Sequence, residues 1–205
     1  LRHGDGIHDV AFHVPDASAA FARATERGAV PVRAPEVLTD EHGKLVVATI
    51  AAYGDTVHSF VQREDYSGVY RPGFVAVPDP GSDPDADVGL RAIDHVVANV
   101  HLGEMDRWSA FYEQVLGLAP LHHFDDEAIA TEDTALMSKV LADGGGHIKL
   151  PINEPAPGRR RSQIEEYLEA NQGPGVQHLA LATDDIVATV RALRARGIGF
   201  LPVPD

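Results

Sequence analysis

The chain has 205 residues, 44% of them apolar, with eleven histidines, no cysteine and a formal net charge of −14. That acidity repels phosphate backbones and argues against a nucleic-acid partner, and the lack of cysteine excludes disulfides, thiolate metal sites and thiol nucleophiles. No apolar run approaches the roughly 18 residues of a membrane span, and no secretory leader is recognisable, so the composition points to a cytoplasmic protein without a membrane partner.

In chain order, Ile7, Val10 and Phe12 alternate as a strand. Asp16 stands at a helix start, and the helix runs to Gly28 at its C-terminal cap. Extended structure follows, then two strands, Leu45–Ile50 and Thr56–Gln62, around the turn "AAYGD". The stretch "RPGFVAVPDPGSDPDADVG" is rich in Pro, Gly and Asp and has no apolar period, which marks a linker. The expected division is therefore a first unit over 1–74, a linker over 75–90 and a second domain over 91–205.

The second domain opens on a strand, Ile93–Val100. A helix with Met105, Trp108, Phe111, Tyr112 and Val115 on one side closes at Gly117. Two strands, 135–140 and 147–150, flank "ADGGG", a hairpin turn rather than a phosphate cradle because no helix starts after it. "GRRRSQ" reads as a solvated basic loop, and "SQIE" is a capping box formed by Ser162 and Glu165. Then "GVQHLALATDDI" repeats the opening of the chain: Gly175 aligns with Gly6, Ala180 with Ala11, Asp185 with Asp16, Ala188 with Ala19, Arg196 with Arg27, Gly197 with Gly28 and Pro204 with Pro35, without a gap. The repeating unit is βαβββ, in an α+β fold of two domains with half-open, barrel-like sheets. Such units pair, so the order of units suggests that the chain begins at the second unit of its first domain and stops early in the last unit of its second.

His95, in "AIDHVV", and His178, in "GVQHLA", occupy equivalent positions on the opening strands of their units. Pairing those strands lets the two imidazoles converge. Two imidazoles with one carboxylate form the facial ligand set of non-haem Fe(II) oxygenases; the alternative is two unrelated core or surface histidines.

"KLPINEP", "SQIEEYL" and "GVQHLAL", within a similarity running from about Arg2 to the last residue, resemble the 4-hydroxyphenylpyruvate dioxygenases of the vicinal oxygen chelate (glyoxalase/bleomycin resistance-like) superfamily. The resemblance implies an Fe(II) cofactor held by His95 and His178. It also implies an aromatic α-keto acid and O2 as substrates, and conversion of 4-hydroxyphenylpyruvate to homogentisate and CO2 in tyrosine and phenylalanine catabolism. Ser138, Asn153, Gln163 and Gln177 match positions that contact substrate or position catalytic groups, and Pro151 matches a pocket-lining position. From the residues alone, Gln163 could equally be first-turn surface and Asn153 a turn. The family's third ligand, a glutamate in a phenylalanine-rich segment, has no match before Asp205. The family forms dimers or tetramers, which implies a homo-oligomer here. In the first unit Asp9 stands where His178 stands and Ser59 about where that glutamate would. The first unit is accordingly expected to be non-catalytic, with His8, His13 and His58 nearby but not ligands. Rival readings are a hydroxymandelate synthase on the same fold, or a metal-free binding or scaffold protein if the 205 residues are the whole polypeptide.

Overall fold

The structure is a computed structural model, and it describes residues 4–77, 87–121, 136–156 and 161–201. Most of the expected linker, Arg159, Arg160 and Pro204 lie outside the described residues.

The first unit runs β1 (Phe12–His13), α1 (Ala17–Glu26), β2 (Pro31–Asp40), β3 (Gly43–Ala51) and β4 (Val57–Gln62). The second runs β5 (Leu90–Asn99), α2 (Met105–Phe111) continuing into a π-helical turn (Tyr112–Leu116), β6 (Ala119–Pro120), β7 (Leu136–Ala142) and β8 (Lys149–Pro155). The order of strands across each sheet is the same: β1-β4-β3-β2 in one and β5-β8-β7-β6 in the other, with the opening strand parallel to the last strand of its unit. After α3 (Gln163–Ala170), β9 (Gly175–Thr183) opens a further unit and pairs antiparallel with β5, and α4 (Ile186–Ala195) follows it.

The repeat extends to backbone detail. Asp16 and Asp185 cap α1 and α4 with nearly the same dihedrals, and each carboxylate accepts the N–H three residues on, from Ala19 at 2.8 Å and Ala188 at 2.9 Å. Both helices stop at a glycine in the left-handed region, Gly28 at φ 100° and Gly197 at φ 84°, where a side chain would be strained. The capping box at α3 is present in both directions, Glu165 N–H to Ser162 Oγ and Ser162 N–H to the Glu165 carboxylate. Asp143 accepts from the N–H groups of Gly145 and Ile148, fixing the β7–β8 hairpin turn.

Two elements differ from their sequence reading. β1 is only two residues long, preceded by a lone bridge between Asp9 and Val57, because among the described residues it has a neighbour on one side only. Its counterpart β5 is paired on both sides and spans ten residues. β8 reaches to Pro155, so Asn153 lies within a strand, opposite Ser138, and not in a turn.

Apolar packing ties the two units together. Val96, Ala98, Val100, Leu141, Leu150, Ile152 and Val176 face Met105, Tyr112 and Leu118, and the same cluster takes in Ala52 and Tyr53 from the β3–β4 turn. Conversely Val115, from the π-helical turn, packs among Ala17, Ala20, Ala24, Val46, Ile50 and Phe60 of the first unit. The Tyr53 ring meets the Trp108 indole edge-on, with centroids 5.8 Å apart. From β8, the buried Glu154 carboxylate accepts the N–H groups of Gly103 (2.8 Å) and Met105 (2.9 Å), closing an α2 N-terminus whose own cap residue, Glu104, makes no capping side-chain bond to the helix.

A buried polar chain crosses the same boundary. His58 is fully buried; its Nδ1–H donates to the Val10 carbonyl at 3.0 Å, and its Nε2 accepts from the Tyr112 hydroxyl at 2.8 Å. The Tyr53 hydroxyl lies beside that of Tyr112. Burial, opposed by the Val10 hydrogen bond and the Asp9 charge, pushes the His58 pKa from 6.5 down to about 4.

Replacing Tyr112 by Phe leaves the buried His58 Nε2 without its partner and is expected to cost about 1–3 kcal/mol in urea unfolding at unchanged slope. The pH dependence follows from His58. The unfolded chain takes up a proton near pH 6.5 that the folded chain refuses until about pH 4, so this part of the stability is complete above 6.5 and lost as pH falls through that window. Unfolding at pH 7.5 and pH 5 is expected to differ by about 2 kcal/mol in favour of pH 7.5.

Candidate metal and substrate site

The β5–β9 pair sets the geometry. Its register matches His95 with Ala180 and Val97 with His178, and it slips between Ile93 and His95 and between Val97 and Ala98. The extra residues at those slips are Asp94 on β5 and Gln177 on β9. On a regular strand, neighbours point to opposite faces; a bulge breaks that alternation and re-aims a side chain. Each histidine is thus immediately preceded by a bulge residue whose side chain can reach it. Asp94 Oδ2 accepts from His95 Nδ1 at 2.8 Å, and Gln177 Oε1 accepts from His178 Nδ1.

Both Nδ1–H groups are therefore committed to oxygen acceptors, and both Nε2 lone pairs remain available. The two rings lie 5.8 Å apart between centroids, inclined at 73°. Partial burial, then the neighbouring His95, lowers the His178 pKa, which favours the neutral, ligating form. Lys149 Nζ, 2.5 Å from Asp94 Oδ1, and the His95 bond hold the Asp94 carboxyl below its usual range. Two neutral imidazoles with tied Nδ1–H groups suit a divalent transition metal, and the outer partners fix tautomer and ring orientation as metal sites require. Among the described residues no cluster of three or more His, Asp or Glu side chains could hold such an ion.

The remaining residues fall around the same face. Val96, Ala98 and Val100 point into the core under α2, so His95, Val97 and Asn99 point the other way. Asn99 pairs with Asn153, and Asn153 with Ser138, which makes one row across β5, β8 and β7; Pro151 and Val140 form the next rung between β8 and β7. Ser138, Pro151 and Asn153 are half-buried. α3 crosses this face at the Asn99 end. There Gly175 is opposite Asn99, and a Cβ on it would come within 2.5 Å of Tyr167 Oη and 2.6 Å of Asn171 Nδ2. Gln163 sits exposed on the first turn of that helix, the one expected site residue not on the sheet.

The sequence reading missed Asn99 and Asp94. Asn99 is 1% exposed, and neither amide atom has a hydrogen-bond partner among the described residues. An asparagine inside the apolar run "VVANV" was the available signal, since a buried strand amide must find partners.

In the first unit the corresponding positions are closed upon themselves. Asp9 accepts from Ser59 Oγ at 2.7 Å and from the Ser59 N–H at 3.1 Å, and Ser59 Oγ is 2.9 Å from Thr49 Oγ1. Both ring nitrogens of His58 are used, and the exposed His13 lies 3.4 Å from Glu64.

Residues 92–205 match the family described as Glyoxalase/Bleomycin resistance protein/Dioxygenase superfamily. The chain belongs to that superfamily. Among its superfamily relatives, 4-hydroxyphenylpyruvate dioxygenase from Tetrahymena thermophila is 45% identical over 204 residues, 98% of this chain and 50% of that protein. The enzyme of the same name from Neurospora crassa is 47% identical over 206 residues, covering all of this chain and 50% of that protein. The chain thus spans about half the length of the curated relatives it matches. A triple mutant of 4-hydroxymandelate synthase from Streptomyces coelicolor superposes with a TM-score of 0.80 at 32% identity, over 99% of this chain and 57% of that one.

Replacing His95 or His178 by Ala is expected to weaken Co(II) or Fe(II) binding by more than about 100-fold, since loss of an outer partner alone costs up to that much. Anaerobic titration measures the affinity. Thermal melts without metal are expected to match wild type, because both rings lie at least partly exposed at the sheet surface.

Proposed function

We propose that the protein supplies two ligands and much of the substrate pocket of an Fe(II) dioxygenase that converts 4-hydroxyphenylpyruvate and O2 to homogentisate and CO2. One observation carries this reading. Two imidazoles with tied Nδ1–H groups converge on the sheet face that also bears neutral hydrogen-bonding side chains at Ser138 and Asn153. The 43–47% identity to proteins named 4-hydroxyphenylpyruvate dioxygenase supports the choice of reaction.

In this reading His95 and His178 hold the iron through Nε2, and a carboxylate completes the set. The iron, when bound, supplies the redox chemistry that joins O2 to the keto acid. The protein's own residues do the rest. Gln177 keeps the His178 ring in its ligating tautomer. Ser138 and Asn153 give the substrate's phenol uncharged partners, so no charge need be buried with the ring, and Gln163 adds an amide from the first turn of α3. Pro151 and Val140 supply apolar contact between them. Residues 1–74 form a non-catalytic unit, separated by the 75–90 linker from the catalytic domain over 91–205, and the protein acts in the cytoplasm as a homo-oligomer. Among the described residues no helix is long and apolar enough to cross a membrane.

The superposition with 4-hydroxymandelate synthase favours a second reading, in which the same substrate is oxidised on its side chain. Product analysis of the Fe(II)-loaded protein separates the two. Homogentisate is expected; 4-hydroxymandelate would establish the second reading, and weak metal binding without turnover would leave the metal-free binding or scaffold role. Asn153→Ala is expected to lower kcat/KM by roughly 10- to 100-fold through a lost substrate hydrogen bond, with iron affinity unchanged.

A further inference from the structure

We infer that Asp94, anchored by Lys149, is a positioning residue that fixes His95 as its Nδ1–H tautomer and makes His95 the stronger donor of the imidazole pair. The inference rests on His95 and His178 being the ligands, and it adds a function for two residues beyond them.

The two histidines look alike in sequence but are held differently. The partner of His178 is the uncharged amide of Gln177. The partner of His95 is a carboxylate, which when ionised can only accept, so the proton between them belongs to Nδ1. A hydrogen bond to an ionised acceptor is about twice as strong as a neutral one, and it pushes electron density through the ring toward Nε2.

Lys149 makes that arrangement hold. It comes from the start of β8, a different strand, and its ammonium lies 2.5 Å from the second Asp94 oxygen. The carboxylate is thus gripped on both oxygens and cannot turn away from His95. Lys149, Asp94 and His95 are all only about a third exposed, with side-chain values of 29%, 38% and 31%, so the chain of contacts is partly shielded from water. It also depends on the bulge: on a regular strand the neighbours Asp94 and His95 would point to opposite faces.

The test uses the 205-residue chain with 15N-labelled histidine. Without metal at pH 8, His95 is expected to show the Nδ1–H tautomer in wild type and in Asp94→Asn, whose amide oxygen still accepts. The Nε2–H form is expected to dominate in Asp94→Ala, with Lys149→Met between. In Co(II) titration, Asp94→Asn is expected to bind about 10- to 100-fold more weakly than wild type, and Asp94→Ala more weakly still. Thermal melts run alongside, because a merely structural role would shift the melting temperature and leave tautomer and affinity unchanged. A His95 tautomer and a Co(II) affinity that are both indifferent to Asp94→Ala overturn the inference. If wild-type Co(II) binding does not depend on His95 and His178, the ligand reading fails instead, and the tautomer measurement alone then decides whether Asp94 positions His95.

Discussion

The antiparallel pairing of β5 with β9 is the constraint on which the candidate site depends. The two strands belong to different repeats, and nothing local in the sequence brings residue 95 near residue 178. Once the strands pair, register determines that the rings share a face, and the two bulges determine what stands beside each ring. A slip of one residue would send one imidazole to the α2 side, where Val96 and Ala98 lie in the core. The apolar set on that side resists such a slip, so burial of valines and alanines on one face holds the histidines in place on the other.

Packing between the units serves the same end. The cluster beneath β5 is completed by Ala52 and Tyr53 from the first unit, and Tyr112 reaches back to His58. A neutral histidine sealed between two tyrosine-linked elements contributes only while it stays uncharged and hydrogen-bonded. The Glu154 clamp on Gly103 and Met105 likewise fixes α2 to the strand that carries Asn153 and Pro151, so the helix and these candidate site residues are held as one piece.

Much of this was legible in the sequence, for a physical reason. Caps, glycine stops and alternation are local signals, so Asp16, Asp185, Gly28, Gly197 and the Ser162–Glu165 box could be read from neighbours in the chain. The equivalence of His95 and His178 was legible because duplication copies position. What escaped is what depends on partners from afar. The length of β1 depends on how many neighbours it has. Asn153 looked like a turn residue until β7 and β8 paired over their full length. The bulges at Asp94 and Gln177 exist only as a mismatch between two strands, and the Lys149–Asp94 contact joins residues on separate strands, so neither has a signature in either strand alone.

The internal bonding of Asp9, Ser59 and Thr49 bears on how the duplicated half could change over evolutionary time. A vacant binding position whose polar groups faced water could regain a ligand by one substitution. Here, replacing Asp9 alone by histidine would leave the buried Ser59 N–H without its acceptor and the Ser59 hydroxyl with Thr49 alone. Ser59 would have to change as well, and Thr49 would then lose its own partner. Three side chains of the first unit thus depend on one another, so acquiring a metal ligand there would have to pass through a less stable intermediate.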